Sequence, residues 1–264
     1  MSPLPFQSSP RPRTQSATAL YDAPGWYDLL HAQGTAEEAR LLEDAFRRYG
    51  NGGRRWLEPA CGTGRLLVRL ARRGWQVCGY DINPASLDYA RRRLARLGRR
   101  AEVLRGDMRD FCRPRSFDAA YNTIGTFRHL LSERDALRHL RAVARSLAPG
   151  GIYMLGFDLV DYDRAEDDEE TWTAGRGRTR VRLVVVGLAP ERRRERIVNF
   201  LTVSSPGGER SLESAYDLLT YDHAQWLALL ARSPFEQVHC SLHPPLDVPA
   251  AIHDGLFVLR LRAG

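Results

Sequence analysis

The chain contains no lysine: all 39 of its basic residues are arginine. Replacement that complete points to GC-rich coding DNA rather than to selection for phosphate contacts. The net charge of +7 is therefore not in itself a nucleic-acid signature. The triplets Arg91-Arg92-Arg93 and Arg192-Arg193-Arg194 read as solvated helix or turn faces. Cysteine is sparse as well. Cys61, Cys78, Cys112 and Cys240 are too scattered for a disulfide framework, and no C-x-x-C pair offers a zinc knuckle. They read as buried thiols in a reducing compartment. His239 and His243 fall in a strand-like run and would not share a helix face, so no metal is expected. No stretch approaches about 18 uninterrupted apolar residues, which excludes a membrane-spanning helix. The N-terminus lacks a charged-then-apolar signal pattern. The expectation is a cytoplasmic protein with no membrane partner.

At 264 residues, 43% hydrophobic and 27% charged, the chain suits one α/β domain with an embellishment. Residues 1–18, rich in Pro, Ser and Arg, predict a disordered tail. Residues 19–53 are helical: Thr35 and Glu38 have capping-box spacing, Leu41, Leu42, Ala45, Phe46 and Tyr49 form an apolar stripe, and Gly50 ends it. From 54 to 264 runs the main domain. Short strands at Arg55–Glu58, Gln76–Asp81, Ala101–Arg105, Phe117–Tyr121 and Gly151–Phe157 alternate with helical periods. Ser132 with Asp135 caps the last of these helices and Pro149-Gly150-Gly151 terminates it. This alternation predicts a doubly wound, mostly parallel sheet.

The pattern changes at 165–216. Thr179–Leu188, Glu195–Ser204 and a third run ending near Tyr216 predict an antiparallel β insertion after strand five. Asp158 to Glu170 carries eight acids against Arg164 and reads as a distinct loop, able to attract a cationic amine or simply to be solvated. Asp222 then caps a helix, and Phe235–Leu242 and Leu256–Leu261 close the chain.

The stretch that carries chemistry is Trp56-Leu57-Glu58-Pro59-Ala60-Cys61-Gly62-Thr63-Gly64-Arg65, after the first strand and before the first helix of the sheet. Glycines there let backbone N–H groups approach a ligand, although a G-x-G pair alone is also an ordinary tight βα turn. Asp81 ends the second strand, where a carboxylate can accept from both hydroxyls of a ribose. Gly106-Asp107-Met108 ends the third, an acid and a thioether suited to an adenine amine and ring. Each acid singly could be a helix N-cap. Jointly they stand at the carboxyl ends of neighbouring parallel strands, where open α/β sheets bind ligands. A dinucleotide loop would want glycine where Leu67 stands, and Glu58 would repel a pyrophosphate. Three acids suit a ligand with adenosine, a ribose diol and an ammonium group: S-adenosylmethionine.

Through LEPACGTGRLL, GYDINPASLDYAR, VLRGDMRDF, FDAAYNTIGTF and LAPGG, the chain resembles the class I S-adenosylmethionine-dependent methyltransferases of the Rossmann-like, small-molecule type. The resemblance implies that Glu58, Ala60, Cys61, Gly62 and Gly64 cradle the methionine part, and that Asp81 and Ile82 hold the ribose. It further implies Asp107 and Met108 at the adenine, with Asn122 near the sulfonium. Ala60 replaces the first glycine of the usual acid-x-Gly-x-Gly pattern. Tyr21 and Tyr27 resemble an N-terminal lid over cofactor and acceptor.

Direct displacement from a sulfonium needs alignment and water exclusion, not an obligatory catalytic side chain. Phe127, Arg128 and His129 follow Asn122 and are candidates for acceptor contact. Imidazole chemistry makes His129 a candidate base, its alternative being a polar residue before a helix. Tyr216 belongs to an insertion that resembles an acceptor-pocket roof and serves equally as a dimerisation surface. The expected function is methyl transfer to a small molecule, releasing S-adenosylhomocysteine. RNA or protein methylation and a non-catalytic S-adenosylmethionine-binding regulator are the alternatives.

Overall fold

The computed structural model describes residues 20–95, 97, 101–246 and 250–262; the tail expected at 1–18 lies outside them. Two helices, α1 (Pro24–Leu30) and α2 (Thr35–Tyr49), precede the alternation β1 (Arg55–Pro59), α3 (Arg65–Arg72), β2 (Gln76–Asp81), α4 (Pro84–Leu94), β3 (Ala101–Arg105), β4 (Phe117–Asn122), a short 3-10 helix (Thr126–His129), α5 (Glu133–Ser146) and β5 (Leu147–Val160). Four strands follow: β6 (Asp168–Arg176), β7 (Thr179–Gly187), β8 (Arg194–Ser205) and β9 (Gly208–Leu219). The chain closes with α6 (His223–Ala231), β10 (Phe235–His243) and β11 (Ile252–Leu261).

Seven strands form one sheet in the order β10-β11-β5-β4-β1-β2-β3. The first five strands run parallel, and β11 is antiparallel to both its neighbours. Both faces are covered at the centre of the sheet, which is why β1, β2 and β4 are almost wholly buried rather than alternating. Adjacent Trp56 and Leu57 are both fully buried on opposite faces. Trp56 packs with Phe46 of α2 and Leu66 of α3, and Leu57 with the cluster containing Leu140 of α5 and Trp226 of α6. A second, four-stranded antiparallel sheet runs β6-β7-β8-β9. Its inner face, through Leu183, Leu201 and Val203, packs on Leu20 and Leu30 beside α1.

Three local expectations need correction. The acidic stretch is not a single loop: Asp158 belongs to β5, and Asp168–Glu170 open β6. The insertion accordingly has a fourth strand. Its acids hid it, because charge-rich residues are depleted in strands unless a neighbouring edge supports them. The Thr35/Glu38 capping box does not form. Gly34 is the N-cap, Thr35 Oγ1 donates to His31 O at 3.0 Å, and Glu38 turns to Arg65. By contrast, Ser132 accepts from Asp135 N–H, and Asp222 with Gln225 makes a full capping box. Helix α5 stops at Ser146, and Pro149-Gly150-Gly151 lies within the early part of β5.

Candidate active site

The turn from β1 into α3 is built from left-handed residues: Ala60 (φ 49°), Gly62 (50°) and Gly64 (67°). Gly64 is the N-cap of α3, and a Cβ there would lie 3.3 Å from Ala90 Cβ, so both conformation and space demand glycine. Ala60 holds its conformation against the left-handed penalty of an L-residue, about 1–2 kcal/mol. Ala60→Gly should therefore stabilise the fold by about 0.5–1 kcal/mol, part of the relief being lost to the freer unfolded chain. Urea unfolding checks this; a destabilised variant would mean that the Ala60 methyl does more by packing than it costs in strain.

Asp81 ties this turn to β2. Its Oδ2 accepts from Gly62 N–H and its Oδ1 from Asn83 N–H, both at 2.8 Å. The N-cap of α4 is Asn83, which accepts from Ser86 N–H at 3.0 Å, so Asp81 is not used as a cap. Burial raises the Asp81 carboxyl above its ordinary value, and the backbone donors work the other way. Glu58 is buried one strand over. Its Oε2 accepts from the Tyr121 hydroxyl at 3.0 Å. Burial pushes its carboxyl up to about 8, against the pull of the Arg65 guanidinium. Arg65 is itself paired to Glu38. Cys61 is buried against Gly79, and its N–H donates to Tyr80 O at 3.0 Å.

The loop after β3 closes the edge. Asp107 accepts from Arg109 Nε at 3.0 Å and Arg109 N–H at 2.8 Å, and the guanidinium holds its carboxyl below the usual range. Asn122 is fully engaged within the fold: Nδ2 donates to Pro59 O at 2.7 Å and Oδ1 accepts from Tyr153 at 2.5 Å. Tyr153 also meets His139 Nε2 at 2.8 Å, and His139 Nδ1 meets Met108 O at 2.7 Å. This hydrogen-bonded chain locks the ends of β1 and β4 and the middle of β5 to the loop after β3. Burial lowers His139 to about 4, so it holds this network as a neutral imidazole. Tyr153 and His139 escaped the sequence reading because one is mid-strand and the other mid-helix.

Two cavities open at this edge. The first, about 310 Å³, is walled by Ala60, Ile82, Asp107, Met108, His129 and Leu130. The second, about 560 Å³, lies between the loop after β4 and the inner face of the second sheet. Its acids are Glu38, Asp158, Asp168, Glu170, Glu195 and Asp254; Trp172, Ile197 and Tyr216 are among its other walls. Trp172 and Glu170 face inward because β6 alternates. That period is present in the sequence but masked by its charges.

The segment Tyr21–Asp28 straps across the loops after β1 and β2. Asn83 Nδ2 donates to Asp22 at 2.8 Å, and Asp28 receives Thr63 Oγ1 at 3.3 Å and Tyr89 at 3.2 Å. Tyr21 lies 5.7 Å from Tyr27 and 5.8 Å from Tyr216, ring to ring. Its hydroxyl meets His129 Nε2 at 3.2 Å. Burial, with Arg128 adjacent, lowers His129 to about 4. Two acceptor-contact candidates are placed differently from expectation. Phe127 is fully buried among Phe157, Tyr221 and Trp226, because the 3-10 helix rolls it into the core. Arg128 borders the second cavity, but its guanidinium is held by Asp158 at 3.1 Å and by Glu195.

A seven-stranded sheet with one antiparallel strand near its edge, a glycine-bearing turn after β1 and carboxylates ending β1 and β2 define a class I S-adenosylmethionine-dependent methyltransferase. Residues 57–151 match the family model described as a methyltransferase domain. The chain is 30% identical over 181 residues to the cypemycin N-terminal methyltransferase of a Streptomyces species, covering 68% of this chain and 71% of that one. It is 32% identical over 133 residues to the dTDP-3-amino-3,6-dideoxy-alpha-D-glucopyranose N,N-dimethyltransferase of Streptomyces fradiae, spanning 49% of this chain and half of that one. Its fold matches DesVI of Streptomyces venezuelae with a TM-score of 0.77 at 23% identity, covering 91% and 98% of the two chains. It also matches CalS10, an amino pentose methyltransferase from Micromonospora echinaspora, at 0.70 and 23%, over 96% and 99%. The chain belongs to the S-adenosylmethionine-dependent methyltransferases, and S-adenosylmethionine is its cofactor.

Proposed function

We propose that this enzyme methylates an amine nitrogen of a small-molecule acceptor held under the second sheet. The observation that carries the reading is the second cavity. Of the six acids on its wall, Glu38, Asp158 and Glu195 are paired to Arg65 or Arg128, which leaves Asp168, Glu170 and Asp254 without a salt-bridge partner among the described residues. Such a wall concentrates a cationic amine and disfavours anionic substrates such as RNA. The named relatives act in the same chemical direction, on amino sugars and at an N-terminus.

The residues present fit the cofactor. Glu58 is a buried carboxyl whose side-chain hydrogen bond among the described residues comes from a neutral hydroxyl, and an ammonium would stabilise its ionised form. Asp81 keeps lone pairs beyond its two backbone donors for a ribose diol. The first cavity, flanked by Ile82 and Met108, is an apolar slot for a purine with Asp107 at its rim. Ala60, Cys61, Gly62 and Gly64 would line the methionine part through backbone, and Asn122 would hold the strand ends in place beneath it. When bound, the cofactor supplies an electrophilic methyl on sulfur.

The chain's own part is to seat the amine, exclude water beneath the Tyr21–Tyr27 strap and keep the pocket aligned. A group held near 4 does not accept a proton at neutral pH, so His129 serves as a wall with Tyr21 rather than as a base. In this reading residues 19–53 act as a lid and 165–216 as a cap, the enzyme works in the cytoplasm, and it forms a homodimer through that cap.

Two variants test the assignment. Asp81→Ala should weaken S-adenosylmethionine binding roughly 10²–10⁴-fold by calorimetry, as hydrogen bonds to a charged acceptor are lost. Glu170→Gln with Asp168→Asn should leave that affinity alone and raise the KM of an amine acceptor about tenfold or more, followed by S-adenosylhomocysteine release. Turnover confined to hydroxyl acceptors would overturn the amine reading.

A further inference from the structure

Three titratable side chains stand in one row across the seven-stranded sheet, on the face that borders the second cavity. Asp158 of β5 is level with Asp254 of β11, and Asp254 is level with His243 of β10. Directly opposite residues share a face and lie about 4.5–5.5 Å apart at Cβ. The next row inward on that face is Gly156, Leu256 and Ser241, and all six residues border the cavity. Gly156 packs against the segment after β4: a Cβ there would meet Thr123 Cα at 3.3 Å and Asn122 O at 3.7 Å. With no side chain on Gly156, the first that β5 presents to the cavity is Asp158. His243, at the other end of the row, is exposed.

Two carboxyls side by side are unfavourable unless a proton or a cation answers their charge. Arg128 of the 3-10 helix meets Asp158 at 3.1 Å but is shared with Glu195 of β8. Across the cavity Asp168 and Glu170 of β6 add further negative charge, and Glu38 is taken by Arg65. One guanidinium thus serves Asp158, Glu195 and Asp254, which favours a proton held between the two aspartates. Burial, opposed by Arg128 and reinforced by Asp254 and Glu195, pushes the Asp158 carboxyl up to about 6.

An amine enters an acidic cavity as an ammonium, which has no lone pair to offer a methyl group. It must lose a proton first, and His129 does not take it. On the amine reading above, on which this rests, we infer that the Asp158–Asp254 pair takes the proton lost by the acceptor ammonium and that His243 passes it to solvent. The N–H bond breaks with its electrons left on nitrogen, and an O–H bond forms on the pair. His243 then accepts that proton and gives one to water, as an imidazole can near neutral pH. The neutral amine regains a positive charge on methylation, so each turnover releases one proton.

Carbon-13 NMR of the carboxyl groups in the full chain reads the pair without an acceptor. Asp158 and Asp254 should titrate in two coupled steps, and Asp254→Asn should move Asp158 to lower pH. Independent steps, with Asp158 unmoved by Asp254→Asn, would overturn the shared proton. Turnover is read as S-adenosylhomocysteine release, with glucosamine and trialanine as probe amines. The wild-type kcat/KM should rise about tenfold per pH unit below about 6 and flatten above it. Asp158→Asn should lower kcat roughly a hundredfold or more, with KM changed less than about threefold and Asp158→Glu recovering activity. Arg128 keeps Glu195 in these variants, so the cap is retained. His243→Gln should lower kcat about tenfold, and added imidazole should restore it, a rescue that a structural role does not give. Wild-type kcat in Asp158→Asn would overturn the inference, and a His243→Gln deficit indifferent to imidazole would remove His243 from the proton's path. Turnover of neither amine by the wild type would count against the amine assignment instead, and the carboxyl titration then decides the pair by itself.

Discussion

Cofactor binding should release one proton at pH 7, and affinity should rise up to about tenfold per pH unit from pH 6 towards 8. Buried Glu58 carries its proton up to about pH 8 in the free protein. Holding an ammonium beside it requires the carboxylate, so below pH 8 the proton must leave. The ligand's α-amino group has an ordinary value of about 7.7–8.0. Above that range it must instead regain a proton, so affinity should pass through a maximum near pH 8. Calorimetry in buffers of different ionisation enthalpy reads the proton directly. Glu58→Gln should abolish both the release and the slope, and a wild-type affinity flat from pH 6 to 8 would remove Glu58 from the ammonium's site.

The same group acts on folding. Its folded value lies above the usual 4.5, so between about 4.5 and 8 the folded state holds a proton that the unfolded chain has given up. Stability of the cofactor-free protein should therefore fall as pH rises through that window, by up to about 1.4 kcal/mol per unit from this group, and level off above it. Tm of wild type against Glu58→Gln at pH 6 and 8 isolates the contribution.

The second large effect belongs to Arg128. Its guanidinium is almost fully buried and joins three elements. It meets Asp158 of β5 and Glu195 of β8, and its Nε donates to Leu219 O of β9 at 3.4 Å. Arg128→Met keeps the stem but leaves two carboxylates in a poorly solvated cavity without a cation. The cost should be about 3–5 kcal/mol in urea unfolding. The Asp158 carboxyl, already pushed up to about 6 by burial, should rise further. Arg128→Met/Glu195→Met should recover only part of the stability, because it replaces one buried pair by apolar side chains and still leaves Asp158 without its cation. Acceptor turnover should not recover, since the cap's register over the strand ends would be lost. A single variant costing under 1 kcal/mol would show that the cap does not hang on this residue.

What the linear sequence determined was the sheet and the cofactor edge. Strands β1, β2 and β4 are almost wholly buried, so their apolar runs and the Gly, Asp and Pro punctuation between them are local signals. Asp81 and Gly62, 19 residues apart, were legible as one site because parallel strands must end at the same edge. Tertiary structure alone decided the acceptor side. Whether Asp158, Glu170, Glu195 and Asp254 repel one another in solvent or line one cavity depends on how two sheets face each other, and no local pattern encodes that. Arg128 and Phe127 are neighbours in sequence, yet the pitch of a four-residue 3-10 helix sends one into an ion pair and the other into the core. The Asn122–Tyr153–His139–Met108 chain was hidden for the same reason. Each of its members satisfies a buried polar group on a different element, and such pairing is settled by packing geometry rather than by spacing along the chain.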